Sequence, residues 1–178
     1  MRLRLFILLV IALAAAFGAA ASARDAEAGK PLAGPFLAGE ASSTGADRCP
    51  LPDEYRDEFE HAADDADLPL ALLVAVATVE SNMRHDARSP AGAEGVLQVL
   101  PSTAAELDLD SSHLADNVLA GARYLRQMLD RFRSADLALA AYNAGPTAVE
   151  TKGSRPNDET IAYVTRVTDE WRKLVGCT

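Results

Sequence analysis

The chain has 178 residues, about half of them hydrophobic, and its 17 Lys and Arg against 26 Asp and Glu give a formal net charge of −9. That length supports one domain with a core of its own and leaves little for a second. The acidic balance excludes nucleic acid as a partner, because binding to phosphates is driven by Lys and Arg.

Arg2 and Arg4 precede an uncharged apolar run from Leu5 to Phe17, and Ala21-Ser22-Ala23 is a small-residue processing signal. Residues 1–23 are expected to be a secretory signal peptide cleaved after Ala23, which makes the protein exported, periplasmic or bound to the cell envelope. An uncleaved anchor is the rival reading, since the uncharged stretch approaches the ~20 residues needed to span a bilayer. Loss of the leader removes only Arg2 and Arg4, so the mature chain is more acidic still. Residues 24–48 mix Gly, Ala, Ser and Pro with scattered charges and lack an apolar period, so they are expected to be a flexible linker.

The folded domain is expected over 49–178, and its patterns are helical throughout. Pro52 suits a first helical turn, with Tyr55, Phe59, Ala62 and Ala63 on one face of a helix ending near Asp65. Asp67 and Pro69 open a second helix, Leu70 to about Ser81, which is apolar nearly all round and belongs in a core. Gly92, Gly95, Pro90 and Pro101 predict that 82–101 is largely loop, with at most a short turn at Val96 to Val99. Thr103 and Glu106 have the spacing of a capping box for a short helix. Asp116 is placed to cap a long amphipathic helix carrying Val118, Leu119, Ala122, Leu125 and Leu129. Ser134 caps a further helix that Gly145 stops, and Pro146 starts a shorter segment. Asn157 caps the last, in which Ile161, Val164, Val167, Trp171 and Leu174 recur at helical spacing. The fold class is all-α, a compact bundle of short helices.

Cys49 and Cys177 bracket this region. In an oxidising compartment they invite one disulfide joining the ends of the domain; the alternative is two unpaired thiols near frayed termini. His61, His85 and His113 are scattered and Cys/His ligand spacing is absent, so neither a metal site nor a cofactor is expected.

One residue stands out against the apolar second helix. Glu80 lies at its C-terminal end, where desolvation and the negative end of the helix dipole both penalise the charged carboxylate and raise its pKa, as a general acid requires. Taken alone, such a glutamate is more readily a solvated side chain at a fraying helix end.

The residues around and beyond Glu80 decide between the two. Glu80-Ser81-Asn82-Met83, then Ala87, Ser89, Gly92-Ala93, Gly95-Val96-Leu97-Gln98 and Pro101-Ser102-Thr103-Ala104, resembles the signature of lytic transglycosylases of the soluble, goose-lysozyme-like type. Asn117 with Gly121 and Tyr124-Leu125 resembles the middle motif of that family, Ala141-Tyr142-Asn143-Ala144-Gly145-Pro146 its third, and Tyr163-Val164 with Val167 its closing helix. The resemblance implies a lysozyme-like fold with a glycan-binding groove and cleavage of the β-1,4 bond between N-acetylmuramic acid and N-acetylglucosamine. It also implies that Glu80 is the single catalytic acid and base. Ser89, Gly95, Leu97, Gln98, Tyr142 and Asn143 are then the substrate-binding positions, with the Tyr142 hydroxyl donating to Glu80. Met83 stands where the family usually has an aromatic, His85 where proline is frequent, and Val96-Leu97 where Leu-Met is typical.

An ordinary glycosidase flanks the bond with two carboxylates. The motifs supply one, and Asp86 and Glu94, the nearest others, sit in a turn-rich polar segment that predicts surface charges. A lone acid suits a reaction in which the C6 hydroxyl of the muramic acid is the nucleophile and a 1,6-anhydro end results. The alternatives are a hydrolytic, lysozyme-like muramidase and a non-catalytic peptidoglycan-binding module. The expected partners are peptidoglycan glycan strands, together with an envelope-spanning secretion or growth machinery.

Overall fold

A computed structural model describes residues 48–151 and 157–178. The expected leader, and all but the last residue of the expected linker, lie outside them. Among the described residues seven α-helices run in chain order: α1 (Arg56–Asp65), α2 (Leu70–Ser81), α3 (Pro101–Ala105), α4 (Leu114–Phe132), α5 (Ala135–Ala144), α6 (Pro146–Thr151) and α7 (Asp158–Leu174), with a 3-10 turn, Asp53–Tyr55, before α1. Among the described residues the only extended pairings are isolated bridges, Arg88 with Glu94 and Glu94 with Val99. None of their helices is long and apolar enough to cross a membrane.

α2 organises the core. Ala71 through Ala77 are all buried, as an all-apolar helix requires, and the helix packs against α7 on one side and α1 on another. Pro69 precedes it, and Asn82 in a left-handed conformation ends it. α4 crosses α1 and α5 with Val118, Ala122 and Leu125 fully buried. Phe59, Leu73 and Leu139 complete the same core.

Cap chemistry sets several boundaries. Ser134 accepts from the Leu137 N–H at the start of α5, and Asn157 accepts from the Thr160 N–H at the start of α7. Gly145, at φ 83°, ends α5.

Three local expectations are corrected. α3 begins at Pro101, so Thr103 lies inside it and Glu106 closes it; a proline at the first position overrode the capping-box spacing. α4 begins at Leu114, two residues before Asp116, whose carboxylate instead accepts from the Asp110 N–H and braces the preceding turn. Ile161 is 46% exposed although its spacing puts it with Val164 and Val167; in that first turn of α7 the buried side chain is Thr160.

Cys49 and Cys177 form a disulfide across a sequence separation of 128 residues. Beside it the Cys49 N–H donates to the Thr178 carbonyl at 3.1 Å, and the buried Arg56 guanidinium donates to the Cys49 carbonyl at 3.0 Å. The end of α7 is therefore fastened to the entry of α1.

Candidate active site

Glu80 is the penultimate residue of α2 and is only partly exposed. Burial pushes its carboxyl up to about 7, against the opposing influence of the Tyr163 hydroxyl and the Arg166 guanidinium. Both come from α7, the main packing partner of α2. Their spacing of three residues places them on one face of that helix. The Tyr163 hydroxyl is buried and meets no partner at good hydrogen-bond geometry, yet it stands close enough to Glu80 to stabilise the charged carboxylate. Burial first, then the charge of Glu80, holds the Tyr163 phenol well above its usual range.

Ser81, the next residue, turns the other way. It is buried, and its hydroxyl donates to the Val96 carbonyl at 2.8 Å and accepts from the Arg84 N–H at 3.1 Å. The same helix end thus presents a carboxyl on one side and anchors the 82–101 loop on the other.

That loop carries most of the expected binding positions. The sequence motif puts the Tyr142 hydroxyl on Glu80; in the structure it donates instead to the Leu97 carbonyl at 2.8 Å. It still feels Glu80, whose charge adds to burial in keeping the phenol protonated. Leu97 is fully buried, so its side chain shapes the loop from beneath. Gly95, at φ 73°, is buried against Asn117: a Cβ there would fall 2.5 Å from the Asn117 amide. Ser89 closes a tight turn, its Oγ accepting from the Ala93 N–H at 3.0 Å and its N–H donating to the Ala93 carbonyl at 2.9 Å.

Gln98, Tyr142 and Asn143 come together around a recess of about 230 Å³ that Leu100, Thr103 and Tyr124 also line. The Tyr124 and Tyr142 rings meet there at 5.4 Å between centroids. A second recess, of about 260 Å³, shares Asn143 and Ala144 and continues to Asn157, the cap of α7, and to Glu159 and Thr160 of its first turn. Glu80, Ser89 and Leu97 line neither recess, and Gly95 lines a third beside Glu94 and Ser111.

Of the other carboxylates, Asp86 is exposed, as expected. Glu94 is half-buried and engaged by Arg88 and by the Ser111 hydroxyl at 3.1 Å, so it is more than a surface charge. Among the described residues no three His, Cys, Asp or Glu side chains are grouped to hold a metal ion. Sequence reasoning gives Tyr163 no role beyond the closing helix and does not single out Arg166. The signal that could have found them is helical spacing on the segment that must cover α2.

Comparison with known proteins shows the family and the fold. Residues 57–164 match the transglycosylase SLT domain. The chain is 35% identical over 108 residues to membrane-bound lytic murein transglycosylase F 1 of Alkalilimnicola ehrlichii, covering 56% of this chain and 21% of that protein. It is 32% identical over 117 residues to the soluble lytic murein transglycosylase of Escherichia coli, covering 59% and 18%. The chain therefore spans about a fifth of the length of these curated relatives. Among solved structures, an inactive mutant of the lytic transglycosylase Slt from Pseudomonas aeruginosa superposes with a TM-score of 0.61 at 29% identity, over 71% of this chain and 25% of that one. The 70 kDa soluble lytic transglycosylase of Escherichia coli gives 0.60 at 27%, over 69% and 25%. The all-helical fold is the lysozyme-like one of these enzymes, and the chain belongs to the transglycosylase SLT domain family.

Proposed function

We propose that this chain is a peptidoglycan lytic transglycosylase, acting on the β-1,4 bond between N-acetylmuramic acid and N-acetylglucosamine, with Glu80 as acid and base. The observation that carries this reading is the carboxyl of Glu80, raised to about 7 at the end of a buried helix within an SLT-family domain. A carboxyl that is half protonated near neutral pH can both give and take a proton.

In the first half of the reaction Glu80 protonates the glycosidic oxygen, and the bond from that oxygen to C1 of the muramic acid breaks. In the second, the C6 hydroxyl of the same sugar bonds to C1 while its proton passes to Glu80. Atoms balance without a second carboxylate, and the product ends in a 1,6-anhydro ring. The Tyr163 hydroxyl and the Arg166 charge support the step in which Glu80 is ionised, because both favour the carboxylate. Gln98, Tyr142 and Asn143 are assigned to the wall of the glycan site, and Ser89, Gly95 and Leu97 to shaping it. We place the domain at 49–178 and its work in the cell envelope, after export by the N-terminal leader, in the service of a secretion or growth apparatus.

Mass spectrometry of digested peptidoglycan tests the assignment. Anhydro ends produced by the wild type and lost in Glu80→Gln support it. Reducing ends indicate a hydrolase, and an absence of product indicates a binding module.

A further inference from the structure

Three helices hold the segment from Gly95 to Gln98 at neighbouring peptide groups. Ser81 of α2 takes the Val96 carbonyl. Asn117 of α4, only 1% exposed, accepts from the Leu97 N–H at 3.0 Å and donates to the carbonyls of Glu94 at 2.8 Å and Ser111 at 3.1 Å. Tyr142 of α5 donates to the Leu97 carbonyl. The N–H and the C=O of Leu97 are thus both occupied, each by a different helix.

The consequence appears at Gln98. It adopts a left-handed backbone, φ 46°, and its side chain folds back so that Nε2 donates to the carbonyls of Gly95 at 2.9 Å and Ala87 at 3.2 Å. A glutamine amide has two N–H donors. Both are spent inside the loop, which leaves only Oε1 for the recess that Gln98 lines.

We propose that Asn117 is a positioning residue that clamps the Leu97 peptide against Tyr142, so that Gln98 meets the glycan as a hydrogen-bond acceptor only. The sugar group read there is then a donor, a hydroxyl or an acetamido N–H. This rests on the reading of the chain as a glycan-cleaving enzyme. Asn117 is buried beneath the loop and acts through Gln98. An apolar residue of the same volume would fill the space but leave the Leu97 N–H unmet, take the Asn117 donor from the Ser111 carbonyl, and leave the Glu94 carbonyl only its bond from the Val99 N–H.

Asn117→Asp keeps the acceptor for Leu97 and turns the donor into an oxygen facing two carbonyls. On soluble peptidoglycan strands it raises KM about tenfold with kcat within about twofold, and in a Gln98→Ala background the same change alters KM by less than about twofold. A fall in kcat at constant KM, or a full effect in the Gln98→Ala background, overturns the clamp. Should Asn117→Asp lose its melting transition, Asn117→Ser, a smaller polar side chain at the same position, repeats the test. Amide hydrogen exchange judges the clamp without turnover: Asn117→Ala speeds exchange at Leu97 by about tenfold or more, and unchanged protection there refutes it. Wild-type protein that cleaves no strand sinks the enzymatic reading, while the exchange result still decides the clamp.

Discussion

The buried hydroxyl of Tyr163 stands against the carboxyl of Glu80 where α7 packs on α2, and it favours the ionised carboxylate. Tyr163→Phe removes that influence, so the Glu80 carboxyl rises above about 7. A general acid must be protonated to act, and the basic limb of the pH-rate profile reports its pKa. That limb therefore moves to higher pH in the variant. Stability changes by less than about 1 kcal/mol, because the hydroxyl has no well-formed bond to lose. A limb that stays put or moves down would separate Tyr163 from Glu80.

Glu80 also weighs on the fold. Its ordinary value is 4.5, and the native state raises it to about 7. Below the lower value both folded and unfolded chains hold the proton. As pH rises between the two values the unfolded chain releases it while the native one keeps it, so stability falls until about pH 7 and then levels. Allowing for partial exposure, the loss is on the order of 2 to 3 kcal/mol. Glu80→Gln cannot titrate. Urea unfolding should find it more stable than wild type at about pH 8, with the gap closing toward about pH 4. A gap that widens on acidification would reverse the sign of the burial argument.

Features local in sequence were legible in it. The limits of α2 come from Pro69 and an apolar run, and the starts of α5 and α7 from Ser134 and Asn157. The lysozyme-like fold and the family came from ordered motifs around Glu80. What escaped were partners distant in sequence. Tyr142 reaches a backbone carbonyl 45 residues away, and a carbonyl leaves no mark in the sequence by which to find it. Asn117 stands in the sequence only as part of the middle motif, yet its bonds span 20 and 23 residues into a loop that only the tertiary fold brings near. Helical spacing placed Ile161 on an apolar face, but whether that turn is covered depends on the neighbouring elements.

Gly121 tests how closely the loop is pressed on α4. Within a helix, Gly→Ala ordinarily stabilises by about 1 kcal/mol. Here the added Cβ would lie 2.5 Å from Leu97 Cδ1, 2.7 Å from Leu97 Cβ and 3.0 Å from the Tyr142 hydroxyl. Leu97 is fully buried and cannot step aside without moving its peptide. Overpacking of this kind costs about 1 to 3 kcal/mol, so Gly121→Ala should be net destabilising and should raise KM. Thermal melts and initial rates measure the two. A stabilised variant with unchanged kinetics would mean that the loop yields freely.

The Cys49–Cys177 disulfide separates stability from chemistry. It closes a loop spanning most of the described chain, for which the entropy of the unfolded state gives about 5 kcal/mol, with typical gains of about 2 to 4. The paired Cys49→Ser, Cys177→Ser variant should lose about 2 to 5 kcal/mol in urea unfolding, and wild type unfolded under reductant should match it. The catalytic rate at room temperature should hold, because Tyr163 lies near the start of α7, whereas the disulfide fastens the chain just beyond its end. Fraying at Leu174 has about three helical turns to cross before it disturbs Glu80. Lost activity in a variant that remains folded would show that the fastening of α7 to the domain entry sets the position of Tyr163, and that the two ends of this helix move as one.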